Sequence, residues 1–248
     1  MKLDNSSRDT FSDAIRASLD NAKRLLSDAE WLGLENSAPT VYALSVLAQE
    51  EFAKAFILHL VSAGCIPWDS ETRKMLRDHS CKQLFTLILD FLEPEFEAFI
   101  ERIQQRQDDI EKGVKRPVFP PHIADAINII RHEKAAKHGY RNDWVDENET
   151  PCDEMARKIG NGYIDKLKQD ALYVNIGKTG QVISTPLRIT PDIAEAELRK
   201  TDRLRSSLYY KDGKVVGLTG LDFEKLSAAF KVVFNIISHE DYAKKWWV

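Results

Sequence analysis

The hydrophobic residues of the chain are densest between Val41 and Ala63, in the run VYALSVLAQEEFAKAFILHLVSA. On a helix this run is apolar on nearly every side, which is typical of a helix buried at the centre of a bundle rather than one on its surface. Gly64 ends the run, and Pro67 prevents an immediate restart. The pattern therefore predicts a central helix around which the other elements pack.

Three charged residues interrupt this central helix: Glu50, Glu51 and Lys54. Glu50 and Lys54 stand four residues apart on one apolar stripe, so we expect them to pair with each other. Because a buried charge is costly unless it is paired, Lys54→Ala is predicted to cost about 3 to 5 kcal/mol. Two interpretations stay open: a salt bridge that fixes the helix register, and a polar pocket that also receives basic residues from the next segment.

Helical spacing recurs along most of the remaining chain, and β-like segments are few. The helical patterns cover residues 11–32, 80–112, 122–138, 154–172, 190–204 and 221–247. One hairpin is predicted with strands 172–176 and 181–185, and a second turn or hairpin over residues 209–218. The predicted fold class is all-α, an antiparallel helical bundle with short β-hairpin insertions near the C-terminal third. We expect a helical domain over residues 1–205, with a C-terminal turn and helix at 206–248 packed on the same domain.

Composition narrows the classes of function. The 248 residues carry a formal net charge of −4, which argues against a protein that coats nucleic acid non-specifically but leaves room for a local basic site. Cys65, Cys81 and Cys152 show no CxxC spacing, so neither a disulfide framework nor a zinc cluster is indicated. We predict no metal and no cofactor. The sequence shows no leader and no membrane-spanning segment, so the predicted location is cytoplasmic, without membrane contact.

Three motifs occur in a fixed order along the chain: VYALSVLAQEEFAKA, RDHSCK and KQDALYVN. Together they resemble the AbiV-type abortive-infection proteins, a branch of the HEPN superfamily, over about residues 14 to 200. The resemblance implies a HEPN-like helical bundle that forms a homodimer. It also implies that the protein acts as a metal-independent endoribonuclease through an Arg-x(4–6)-His motif.

The chemistry of RNA cleavage explains why such a motif is needed. RNA supplies its own nucleophile in the 2′-hydroxyl, so cleavage needs a histidine to move a proton and a cation to stabilise charge on the phosphate. Arg73 and His79 have this spacing, and Arg77 and Lys82 flank the same histidine. A short helix that is N-capped by Asp69 or Ser70 is expected to carry the two arginines and His79.

A second pair, Arg131 and His138, also has this spacing. We expect His79 to line a polar cleft beside Glu50 and Lys54, together with Lys82 and one of the two preceding arginines. Arg131 and His138 would then form an exposed feature at the end of a helix. The structural alternative for His79 itself is that it caps the helix that begins near Ser80.

The residues that support the site are expected from all three motifs, since each contributes charged or polar side chains. They are Glu50, Glu51, Lys54, Lys82, Lys168, Tyr173 and Asn175. AbiV-type proteins usually carry Asp where this chain has Asn175, and the lost carboxylate favours a structural role for the third motif.

Two functions from different classes stay open. In the first, the protein is an abortive-infection ribonuclease toxin that blocks translation on phage infection. In the second, it is a non-catalytic HEPN-like binding module that contacts RNA, the ribosome or a phage protein. The expected partners are a second copy of the chain, RNA, and a phage-encoded trigger or partner protein.

Overall fold

The computed structural model describes residues 5–35, 37–87, 89, 155, 158–211, 214–218 and 231. These residues are mostly helical, and two small antiparallel sheets lie in the C-terminal third of the chain. The helices are α1 (Asn5–Leu34), α2 (Ala38–Ser62), α3 (Ser70–Met75), α4 (79–87), α5 (Tyr163–Leu172), a 3₁₀ turn (Pro186–Arg188) and α6 (Pro191–Ser207). The strands are β1 (Asn175–Ile176), β2 (Val182–Ser184), β3 (Leu208–Lys211) and β4 (Lys214–Leu218). The predicted all-α class is confirmed.

Helix α2 is the core of this arrangement. Its side chains are buried on nearly every side, and Tyr42, Phe52 and Phe56 are among the largest fully buried groups. Helix α1 packs along it as the second arm of a hairpin, and α5 and α6 also contact it. Helix α4 contributes Phe85, whose ring meets that of Phe56 edge to face at a centroid distance of 6.3 Å. The prediction of a central buried helix is therefore confirmed.

The chain between α2 and α4 departs from the prediction. Gly64 ends α2 with a φ of +70°, as a C-terminal glycine should, and the Asp69 carboxylate caps α3 by accepting from the backbone N–H of Thr72 at 2.8 Å. The prediction of one short helix that carries Arg73, Arg77 and His79 is wrong, because α3 ends at Met75 and Arg77 lies in the turn that follows.

A new helix begins at His79 because Asp78 caps it. The Asp78 carboxylate accepts from the backbone N–H of Cys81 at 2.9 Å, and its carbonyl oxygen accepts from the N–H of Lys82. His79 is therefore the first residue of α4, and its imidazole does not serve as the cap. This position directs the side chain toward α2.

The predicted hairpin is present, and the predicted turn or hairpin over residues 209–218 is a hairpin as well. Strand β1 pairs with β2 around Gly180, which has a φ of +85°, and β3 pairs with β4. The first hairpin is shorter than predicted: α5 continues as far as Leu172, and the strands cover only Asn175–Ile176 and Val182–Ser184. Helix α6 begins at Pro191, and the Thr190 hydroxyl accepts from the N–H of Ile193 at 3.4 Å.

Several predictions lie outside the described residues. They are the helix over 122–138, most of the long helix over 80–112, the last helix apart from residue 231, and the pair Arg131 and His138. The division into residues 1–205 and 206–248 stays a prediction. Within the described part of the chain, no helix combines the length and the apolar character that crossing a bilayer requires.

Candidate active site

The side chain of Glu50 is the centre of a buried polar cluster. Only 1% of this residue is exposed, yet its carboxylate meets four hydrogen-bonding groups. Oε2 lies 2.6 Å from His79 Nδ1 and 3.1 Å from Lys82 Nζ, whereas Oε1 lies 2.8 Å from Lys168 Nζ and 2.9 Å from Gln83 Nε2. A carboxylate offers about four lone-pair sites, so Glu50 is saturated.

Three helices bring these groups together. On α4, His79, Lys82 and Gln83 are at positions i, i+3 and i+4, which places all three on the face that meets α2. Lys168 comes from α5, far along the chain. Asp165, one turn earlier on α5, accepts from Lys168 Nζ at 2.9 Å and fixes the direction of the ammonium group. The cluster is therefore a product of tertiary packing and not of one motif.

The electrostatics of the cluster favour an ionised carboxylate. Burial by itself would raise the pKa of Glu50, but the hydrogen bond with His79 and the charges of Lys82 and Lys168 lower it to about 2. For Lys168, burial opposes the charged form, but the carboxylates of Glu50 and Asp165 prevail and raise its pKa. Glu50 and Lys168 therefore keep each other charged at neutral pH.

His79 differs from the other members because 48% of its side chain is exposed. The distance of 2.6 Å between Nδ1 and the ionised Oε2 requires a proton between them, since two lone pairs would repel each other at that separation. Nδ1 is therefore the donor to Glu50. Among the described residues, the side chain of His79 is contacted only at Nδ1. No described residue forms a hydrogen bond with Nε2, which lies on the opposite edge of the ring.

A metal ion is the other arrangement that these groups suggest. Glu50, His79 and Asp165 each offer a ligand atom, and these atoms lie within 4.8 Å of one another. The ammonium of Lys168 already bridges Glu50 and Asp165, at 2.8 Å and 2.9 Å. A divalent cation would have to displace this buried ammonium, so the geometry favours an ion-pair cluster.

The predicted pair of Glu50 and Lys54 is wrong. Lys54 Nζ instead lies 2.5 Å from Oε1 of Glu51, three residues earlier on α2, and both side chains are half-buried. Glu50 is not available to Lys54, because its two oxygens are filled by donors from α4 and α5.

The two predicted arginines lie on the outside of the same region. The Arg73 guanidinium stands over the Trp68 ring, 5.9 Å from its centroid, and Nε of Arg77 donates to the Arg73 carbonyl at 3.2 Å. Both arginines are exposed. Within the described residues, neither forms a hydrogen bond or ion pair with Glu50 or His79.

The residues of the third motif have two different roles. Lys168 belongs to the cluster, whereas Asn175 donates to Oδ1 of the buried Asp170 at 3.0 Å. Ser184 donates to the same oxygen at 2.7 Å, so Asp170 ties β1 and β2 to the end of α5. Tyr173 is exposed between them. The expectation of a structural role thus fits Asn175 but not Lys168.

Two members of the cluster were missed by the sequence reasoning. Gln83 and Asp165 belong to no chemical motif, but simple helical spacing from the predicted residues would have found both. Gln83 follows His79 by four positions, and Asp165 precedes Lys168 by three.

Comparison with known proteins supplies the family. The model of the HEPN_AbiV family, described as AbiV, matches residues 10–205, a range that includes every member of the Glu50 cluster. Neither the curated proteins nor the solved structures give a match. Because the family match covers most of the 248 residues, the chain belongs to the AbiV-type HEPN family of abortive-infection proteins.

Proposed function

We propose that this protein is a metal-independent endoribonuclease toxin that blocks translation on phage infection, with His79 as its proton-transfer group. The observation that carries the proposal is the contact between buried, ionised Glu50 and Nδ1 of half-exposed His79. A carboxylate behind an imidazole fixes the ring and stabilises its protonated form, while the outer nitrogen acts as a base.

The proposed reaction needs no group beyond the RNA and the protein. Nε2 of His79 accepts the proton of a 2′-hydroxyl, the 2′-oxygen forms a bond to the adjacent phosphorus, and the bond from phosphorus to the 5′-oxygen breaks. The 5′-oxygen takes up a proton from an acid on a second copy of the chain, so the products are a 2′,3′-cyclic phosphate and a 5′-hydroxyl. Glu50 balances the charge of the imidazolium that forms during the first transfer.

The phosphate needs a cation that is not already paired. Lys82 and Lys168 are both buried and bound to Glu50, so neither is placed for this role. Arg73 and Arg77 are exposed in the segment that leads to His79, and they are the better candidates within the described residues. We include a homodimer in the proposal, since a second copy would supply the acid that one histidine does not provide. Sedimentation velocity at micromolar concentration tests it.

The test uses purified protein, a structured RNA and a chelator of divalent metals. We expect products with 2′,3′-cyclic phosphate ends, and a fall in rate of about 10²- to 10⁴-fold in His79→Ala. Arg73→Ala and Arg77→Ala should lower the rate as well. His138→Ala is the comparison for the second predicted pair, and Lys166→Ala, an exposed lysine on α5, is the matched control. Loss of cleavage in His138→Ala alone would place the chemistry at the other histidine.

The alternative is a non-catalytic binding module that contacts RNA, the ribosome or a phage protein. A specific observation favours it, namely the large apolar side chains exposed on and beside the β1–β2 hairpin. They are Tyr173, Val174, Ile176, Val182, Ile183 and Leu187. Exposed apolar patches of this kind mark contact surfaces. The alternative predicts that His79→Ala remains toxic in cells and that the wild-type protein leaves RNA intact.

A further inference from the structure

We propose that Glu50 and Lys168 compete for Nδ1 of His79, and that the outcome of this competition sets which ring nitrogen can act as the base. Glu50 is then a positioning residue, and Lys168 is the group that would take its place. Only the kinetic readout rests on the proposed ribonuclease function. The tautomer itself can be measured without any substrate.

The distances define the competition. Nδ1 lies 2.6 Å from an acceptor, Oε2 of Glu50, and 3.1 Å from a donor, Nζ of Lys168. A single nitrogen can satisfy only one of them: with a proton it donates to Glu50, and without one it accepts from Lys168. The shorter distance and the charge of the carboxylate favour Glu50. Lys168 meanwhile donates to Glu50 Oε1 and to Asp165.

The two outcomes have opposite chemical consequences. When Nδ1 carries the proton, neutral His79 has a lone pair on Nε2, which can accept a proton from a ligand. When Lys168 donates to Nδ1, the proton of neutral His79 resides on Nε2, and the outer nitrogen is no longer a base. Neutralising Glu50 would therefore change the tautomer of His79, in addition to weakening the contact that orients its ring.

A double substitution separates this switch from ordinary structural damage. In Glu50→Gln the acceptor loses its charge, and we expect Lys168 Nζ to donate a hydrogen bond to Nδ1 of His79. His79 should then change to the Nε2–H form, and kcat should fall by about 10²-fold or more with KM little changed. In Glu50→Gln/Lys168→Met the competing donor is gone, so Nδ1–H can donate to the amide oxygen. We expect the Nδ1–H form to return, with kcat at least about tenfold above that of Glu50→Gln.

The tautomer is read from the ¹⁵N shifts of the ring nitrogens, in protein labelled at histidine and held at a basic pH at which these shifts report a neutral ring. The His79 signals are identified by their loss in His79→Gln. Lys166→Met in the Glu50→Gln background is the matched control and should leave the Nε2–H form in place. The proposal is overturned if Glu50→Gln keeps the Nδ1–H form, or if the double variant keeps the Nε2–H form.

A second pair of variants keeps the inference testable if Glu50→Gln does not fold. If Glu50→Gln alone does not fold, Glu50→Asp keeps the charge, and Glu50→Gln/Lys168→Met removes the carboxylate charge together with one of the two ammonium groups bound to it. Both should show the Nδ1–H form, and an Nε2–H form in either would contradict the proposal. If the wild-type protein shows the expected tautomer but cleaves no RNA, the proposed function fails while the inference about His79 stands.

Discussion

Glu50 and Glu51 are adjacent residues on the same helix, yet their surroundings have almost nothing in common. Glu50 is 1% exposed and binds groups that lie 29 to 118 positions away in the sequence. Glu51 is half-buried and pairs with Lys54, three positions along α2. The two side chains leave the helix about 100° apart, so Glu50 faces α4 and α5 whereas Glu51 pairs with Lys54 on another face of α2.

This difference shows what turns a charge in a central helix into a candidate site. A local pair such as Glu51 with Lys54 forms on any helix with suitable spacing and is stabilised by tenths of a kcal/mol. The Glu50 cluster exists only when three helices are packed, and it holds an ionised carboxylate against a histidine that reaches solvent. Burial and the convergence of distant elements, more than the presence of charge, set Glu50 apart.

The largest expected effect comes from removing the central carboxylate. Glu50→Gln leaves the ammonium groups of Lys82 and Lys168 buried without their anion, and this should cost about 3 to 5 kcal/mol in the free energy of unfolding. Glu51→Gln is the matched control and should cost less than about 1 kcal/mol. Urea unfolding followed by circular dichroism measures both. Equal losses in the two variants would remove the distinction between the two carboxylates.

The two carboxylates should also differ in how they make the free energy of unfolding depend on pH in the acid range. The folded pKa of Glu50 is lowered from 4.5 to about 2, so its ionised form stabilises the native state above pH 4.5. That contribution is lost as the pH falls toward 2, and it amounts to about 3 kcal/mol. Because pH 3 is still above the folded pKa, unfolding free energies at about pH 5 and about pH 3 should show roughly half of this loss, in wild type and in Glu51→Gln. Glu50→Gln/Lys168→Met should lack this part of the acid dependence. An identical pH profile in that variant would mean that other carboxylates account for the loss.

Local patterns predicted much of the fold because they depend on neighbouring residues. The apolar run of α2, the cap at Asp69 and the glycine turn of the first hairpin are all features of short range, and each is present. The break between α3 and α4 lies at residues 76–78, earlier than the predicted break between His79 and Ser80, because the Asp78 carboxylate caps the second helix by accepting from the N–H of Cys81.

The candidate site was harder to predict, for a physical reason. Spacing alone predicted Lys54 as the partner of Glu50, because residues at i and i+4 lie on the same face of a helix. The rule failed because the two oxygens of a buried carboxylate bind donors from the helices that pack against it. The residue pattern within α2 does not show which donors these are. The family resemblance supplied His79, Lys82 and Lys168, and only the packing of α4 and α5 showed that all three meet one carboxylate.

The smallest expected effect concerns Lys54, where sequence reasoning predicted a loss of about 3 to 5 kcal/mol on substitution by alanine. The structure gives a different expectation. The pair that Lys54 forms with Glu51 is partly open to water, with 28% and 17% of the two side chains exposed, so Lys54→Ala should cost about 0.5 to 1 kcal/mol, part of it from lost packing of the aliphatic stem. Lys54→Met keeps most of that stem and isolates the charge. Urea unfolding of the two variants beside wild type, at low and at high salt, measures the difference. A loss above about 3 kcal/mol in Lys54→Met would mean that Lys54 is bound to a buried anion after all, and that the contrast between Glu50 and Glu51 is weaker than their surroundings indicate.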